Sequence, residues 1–210
     1  MSLKNAILIV LLVLVIDQVS KIYMKTSFQL NDGIEVLNGC SPEDGQSCQP
    51  LFELRLVENP GMAWGVEIPK WLGGKLALTI FRIFAILGIA YWLWDAARKH
   101  APKVLMIAVA LIFAGAFGNI IDSIFYGVIF DDSYAQVAKI FPEQGYGKLF
   151  HGKVVDMFSF SFFNPVFNVA DFAISVGVGI LIVFNKKAFP KKQTVSEGEV
   201  EEMSEIDLID

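Results

Sequence analysis

The stretch KVLMIAVALIFAGAFGNIID, residues 103–122, decides the fold. Its apolar run continues to about Val128 and is long enough to cross a bilayer. Within it Ala110, Ala114 and Gly118 recur every four residues, and Asp122 follows on the same stripe. Small residues at that spacing let helices pack closely without a hydrophobic driving force between them. Asp122 is therefore expected to face other helices and not lipid, with Asn119 near the same face.

Three further apolar blocks flank this one, at about Ala6–Tyr23, Lys75–Trp94 and Phe167–Phe184. Of the 210 residues, 54% are hydrophobic and 19% charged, and the hydrophobic excess sits in these four blocks. A soluble domain carries about 25% charged residues. The expected class is an all-α membrane protein with four transmembrane helices, a small extracytoplasmic β-sheet and a short extracytoplasmic helix. Residues 1–190 form one domain. The tail at 191–210 is acidic, poor in aromatics and expected to be disordered in the cytoplasm. The formal charge of −5 equals the net charge of that tail and says little about partners.

The first block ends in Asp17-Gln18-Val19-Ser20-Lys21, with no small-x-small cleavage site, and is read as a retained helix. Arg98, Lys99, His100 and Lys103 lie between blocks two and three, and Lys186, Lys187, Lys191 and Lys192 follow block four. The positive-inside rule puts both termini in the cytoplasm and the long loops, about 24–74 and 129–166, outside. In the first outer loop, Leu51 to Glu58 alternates with the period of a strand. In the second, Tyr134, Val137, Ala138 and Phe141 would share one face of a short amphipathic helix. The segment around 129–150 is expected to move over the site as a lid. Cys40 and Cys48 are eight apart in one polar loop. A disulfide is open to them outside the cytoplasm, a two-thiol metal site is the alternative, and no other Cys or His lies nearby.

Ionisable groups are costly in a membrane and mark functional sites. Asp17, Lys21, Asp122, Asp156 and Asp171 all fall toward one face of the bilayer. Asp17 and Lys21 stand at i and i+4 in the favourable order for an ion pair, which alone would account for them. Asn168 and Asp171 read as a helix N-cap box. Neither explanation covers Asp156, an acid inside the apolar run Val154-Val155-Asp156-Met157-Phe158. Two carboxylates in apolar surroundings can share one proton, so that one acts as base while the other polarises a carbonyl.

Five stretches, in order, resemble the motifs of the lipoprotein signal peptidases (signal peptidase II), membrane aspartic peptidases of bacteria. They are Asp17 to Lys21, Asn59-Pro60-Gly61-Met62-Ala63-Trp64-Gly65, Gly115 to Asp122, Val154 to Phe158, and Phe167 to Asp171. The resemblance covers about residues 6–185. It implies Asp156 and Asp171 as the catalytic pair, with Asn59, Gly61, Asn119, Asp122, Asn168, Asp17 and Lys21 binding substrate or supporting the pair. It implies cleavage of diacylglyceryl-modified prolipoproteins just before the lipid-bearing cysteine, at the outer face of the bacterial inner membrane. No metal or organic cofactor is implied. The expected partners are these substrates and membrane lipid, with no nucleic acid, and the protein is expected to be monomeric. Two positions depart from the family pattern: Ser123 stands where Arg is usual, and Phe172 where Ser is usual. The rival readings are a small proton- or cation-coupled transporter and a non-catalytic lipid-binding protein. The chain has no internal repeat of the kind transporters often carry.

Overall fold

The structure, a computed structural model, describes residues 1–38, 50–60 and 74–190. Gly61, both cysteines and the acidic tail lie outside the described residues.

Three helices are long and apolar enough to cross a membrane: α1 (Leu3–Ser27), α2 (Gly74–Arg98) and α3 (Lys103–Ile121) with its continuation to Ile129. At 25 residues, α1 and α2 are each roughly 37 Å long, more than a bilayer core. Their outer faces are unbroken hydrocarbon. Leu8, Leu12 and Val19 on α1, and Phe81, Phe84 and Leu87 on α2, are all exposed.

The centre of the bundle is α3, packed against α1, α2 and the later helix α5 (Val169–Val183). The small-residue stripe does what its spacing implies. Ala110, Ala114 and Gly118 are buried, and α5 lies so close that a Cβ on Gly115 would stand 2.2 Å from the Ala170 carbonyl. Past Ile121 the helix widens into a π-helical turn, Asp122–Tyr126, before closing as α4 (Gly127–Ile129). A widened turn frees backbone carbonyls. Those of Ser123, Ile124 and Gly127 accept hydrogen bonds from the amides of Gly152, Phe150 and Gly147.

The sheet has four antiparallel strands in the order β1 (Gly33–Asn38), β2 (Pro50–Asn59), β3 (Val154–Phe160) and β4 (Phe163–Phe167). The strand expected from the alternation at 51–58 is β2. The chain then enters α5 (Val169–Val183), 15 residues long, and α6 (Asn185–Ala188). The block expected at 167–184 is therefore a shorter helix than a full span, because β4 takes its first residue and Asn168 caps it.

The two ends of the bundle differ in charge. Met1, Val104, Leu105 and Ala188 pack in one cluster, which brings the N-terminus, the basic α2–α3 turn and α6 with Lys186 and Lys187 together. The other end carries the sheet, where Met24 packs with Leu56, Val155 and Met157.

The expected helix around 133–141 is absent. That segment runs as turns and bends, with Ala135 and Phe141 in the left-handed region (φ 56° and 54°) and a β-bridge between Phe130 and Ile140. Tyr134 and Phe141 are 75% and 80% exposed, while Ala138 is buried. The four residues share no buried face, because the segment folds back on residues 129–131 and on the turn after α1, which supply its backbone partners. The Leu30 amide donates to the Ser133 carbonyl, and Tyr146 to that of Phe130.

Candidate functional site

Strand β3 explains Asp156. Alternate strand residues point to opposite faces, so Val155 and Met157 fill the core beneath the sheet while Asp156 turns the other way. Its partner on β2 is Val57, and that register brings Asn59 opposite Val154, beside the carboxylate. Asn59 Nδ2 donates to Asp156 Oδ2 at 3.2 Å, and Asn168 Nδ2 donates to Oδ1 at 2.7 Å.

Asp171 is placed by the start of α5. Asn168 and Asp171 form the reciprocal capping box expected of their spacing. The Asp171 amide donates to Asn168 Oδ1 at 2.9 Å, and the Asn168 amide to Asp171 Oδ2 at 3.4 Å. Because that oxygen of Asn168 is taken by the helix, its amino group is left to face Asp156. Asn168, fully buried, thus meets both acids, the Asp156 carboxylate through its side chain and the Asp171 carboxylate through its backbone amide.

The polar residues of α1 and α3 form a layer beneath. Lys21 has three N–H donors and three acceptors around it: Asp17 Oδ2 at 2.9 Å, Asp122 Oδ2 at 2.8 Å and Asn119 Oδ1 at 2.9 Å. Asp17, Lys21 and Asp122 are each 0% exposed. A lysine can only donate, so it fixes the Asn119 amide with oxygen inward. The Asn119 amino group then faces Asp171 Oδ1, 2.8 Å away. Asp17 Oδ1 accepts from the Ala170 amide at 2.9 Å in the first turn of α5, where a negative charge suits the helix end. Gly118 is required here, since a Cβ would stand 2.5 Å from Asp17 Oδ2. The Asp17–Lys21 pair is thus more than a local ion pair: with Asp122 and Asn119 it ties α1, α3 and α5 together under the two acids. Ser123 turns away from the cavity and donates to the Asn119 carbonyl at 2.9 Å.

Both acids line one cavity of about 740 Å³. Asn59, Pro60 and Asn119 form part of its polar wall, and Phe163, Phe167 and Phe172 part of its apolar one. Burial, and next the charge of Asp171, push the Asp156 carboxyl up to about 7. Near neutral pH the pair can hold a single proton, and a base beside an acid facing a peptide-sized cavity suits hydrolysis of a carbonyl compound. No residue of 129–150 lines that cavity among the described residues, so the structure gives the expected lid no contact with it.

The sequence reading missed two features. Arg82, within apolar α2, also lines the cavity. The signal was an arginine inside a spanning block. A second buried network surrounds Glu58, 2% exposed, which is bonded to Lys25, to Ser133 Oγ at 2.8 Å and to Lys153 at 2.8 Å. Burial opposes the Glu58 charge, but Lys25 and Lys153 outweigh it and hold the carboxyl below its usual range. Among the described residues no group of three or more His, Cys, Asp or Glu is arranged to hold a metal ion.

Comparison with known proteins supplies the remaining finding. The family model described as signal peptidase (SPase) II matches residues 9–186. A protein of Porphyromonas gingivalis named lipoprotein signal peptidase is 41% identical over 219 aligned residues, covering 92% of this chain and 90% of its own. One of the same name from Amoebophilus asiaticus is 33% identical, covering 96% of this chain and 85% of its own. A solved bacterial membrane enzyme, determined by the in meso method, superimposes with a TM-score of 0.60 at 26% identity, over 92% of this chain and 95% of its own.

Proposed function

The chain belongs to the signal peptidase II family, and from that premise we propose that it removes the signal peptide from diacylglyceryl-modified prolipoproteins by aspartic catalysis. Asp156 and Asp171 form the catalytic pair. The observation that carries this reading is that Asn168 bonds both acids at the rim of one cavity. The ionised member of the pair takes a proton from a water held between the two. The water attacks the scissile carbonyl, and the protonated member donates to its oxygen as charge develops there. Burial makes two adjacent negative charges costly, which favours the shared proton and makes the pair titrate as a unit. The Asp17, Lys21, Asp122 and Asn119 layer fixes the position of Asp171, while Asn59 fixes that of Asp156. Gly61, by resemblance, belongs with Asn59 in binding substrate.

The same reading orients the molecule. α5 with its flanking segments serves as a fourth span, the basic end lies in the cytoplasm with both termini, and the sheet and cavity lie at the outer face of the bacterial inner membrane. The enzyme acts as a monomer and needs no metal. A transporter reading has less support, because the buried acids are tied to one another at one end of the bundle and not spaced along a path.

The deciding experiment is cleavage of a diacylated prolipoprotein by the purified protein in lipid. Asp171→Asn is expected to lose at least about 10³-fold in turnover while staying folded, and the double variant with Asp156→Asn to lose little more. Chelators are expected to have no effect. Cleavage by folded Asp171→Asn at near-native rate would end the aspartic reading.

A further inference from the structure

Arg82 is the one cation lining the cavity among the described residues. It stands about a third of the way along the 25-residue apolar helix α2, between Phe81 and Ile83, where a charge is costly to place and marks a functional group. It is part-buried and within electrostatic reach of both Asp156 and Asp171. The other cations near the site do not line the cavity. Lys21 is fully buried with its three partners, and Lys25 and Lys153 are engaged by Glu58. Lys75, on the same helix as Arg82, does not line the cavity.

Resting on the hydrolysis proposed above, the charge balance of the product state gives Arg82 a task. Water adds its oxygen to the scissile carbonyl carbon, the C–N bond breaks, and the nitrogen leaves with a proton as the amine of the new N-terminus. The other fragment ends in a carboxylic acid, which ionises near neutral pH. Its carboxylate is formed where the scissile carbonyl stood, against a pair of acids that already carries one negative charge. Glu58 also lines the cavity but is matched by Lys25 and Lys153, so without a further cation two unmatched negative charges would share one part-buried cavity. We propose that Arg82 binds the carboxylate of the released signal peptide, and the carbonyl oxygen that precedes it, through its planar fork of donors. A guanidinium matches a carboxylate with two parallel hydrogen bonds and stays charged at every working pH. Arg82 is thus a substrate- and product-binding residue, and the departing signal peptide is recognised by its new C-terminal charge.

The test is inhibition of prolipoprotein cleavage by a synthetic signal peptide ending at the cleavage site, made once as the free acid and once as the C-terminal amide. The native protein should be inhibited about tenfold or more strongly by the acid, the size of one charge-assisted hydrogen bond in a part-buried site. Arg82→Gln should abolish the difference between acid and amide. Arg82→Lys, which keeps the charge but not the fork, should retain part of it. Equal inhibition by acid and amide in the native protein overturns the proposal without need of any variant. So does an acid preference that survives Arg82→Gln. Failure of the native protein to cleave prolipoprotein at all would instead count against the function on which the proposal rests.

Discussion

Replacing Asp156 by Asn tests the electrostatics of the pair independently of activity. A carboxyl that titrates near 3.8 in the unfolded chain and at about 7 when folded binds its proton more tightly in the folded state. The difference is about 10³-fold, or about 4 kcal/mol. The sign follows from the raised value. The folded state binds more protons between about pH 4 and 7, so this group's stabilisation is fully present below pH 4. It is lost as pH rises and is gone above about 7. Asn cannot titrate, so the variant lacks that slope. Its side-chain oxygen can still accept from Asn168, and its amino group then faces Asn59, a cost that does not change with pH. The figure of about 4 kcal/mol is a ceiling, since water entry and side-chain relaxation soften burial. Half of it still moves Tm by about 4–8 °C in a chain of this size. The assay is thermal unfolding of native and Asp156→Asn protein in one detergent from pH 4.5 to 8.5. The variant should gain on the native protein as pH rises, with most of the gain below pH 7.5. Every titrating group outside the pair is common to both proteins and cancels. A Tm difference that stays constant across this range would refute a raised Asp156 carboxyl and the shared proton derived from it.

Three further outcomes follow from the packing. Gly115→Ala places a Cβ 2.2 Å from the Ala170 carbonyl, which is backbone and cannot step aside, so α3 and α5 must part. A loss of about 1–3 kcal/mol in detergent unfolding is expected, with activity falling as the capping residues shift. Glu58→Gln leaves Lys25 and Lys153 without their counter-charge and should destabilise by about 3 kcal/mol at neutral pH. Because its carboxyl is held below the usual range, the native advantage should shrink as the medium is acidified below pH 4. A Tm unchanged by the substitution at pH 7 would refute that role. A single cysteine introduced at His100, in the basic turn, should be labelled only from the cytoplasmic side; labelling from outside would reverse the proposed orientation.

The membrane class, the long helices and most of the site residues could be read from the chain, because they depend on local pattern. Apolar length gave the spans, the four-residue spacing of Ala110, Ala114 and Gly118 gave the packing face of α3, and the Asn168–Asp171 spacing gave the cap. Each needs only one helix and its solvent. The strand β3 was not legible. Its run from Val154 to Phe160 is mostly apolar on both faces, so no alternation marks it, and its pairing with β2 joins residues about 100 positions apart. The absent helix at 133–141 failed for a related reason. Its local pattern favoured a helix, but the Leu30 amide, the Ile129 carbonyl and the core position taken by Ala138 supplied partners that a free helix lacks. The meeting of Asn168 with both acids, the three acceptors around Lys21, and Arg82 in the cavity wall were likewise decided in three dimensions. Sequence fixes which groups are too costly to leave alone in a membrane; only the packing of α1, α3, α5 and the sheet decides which of them answer one another.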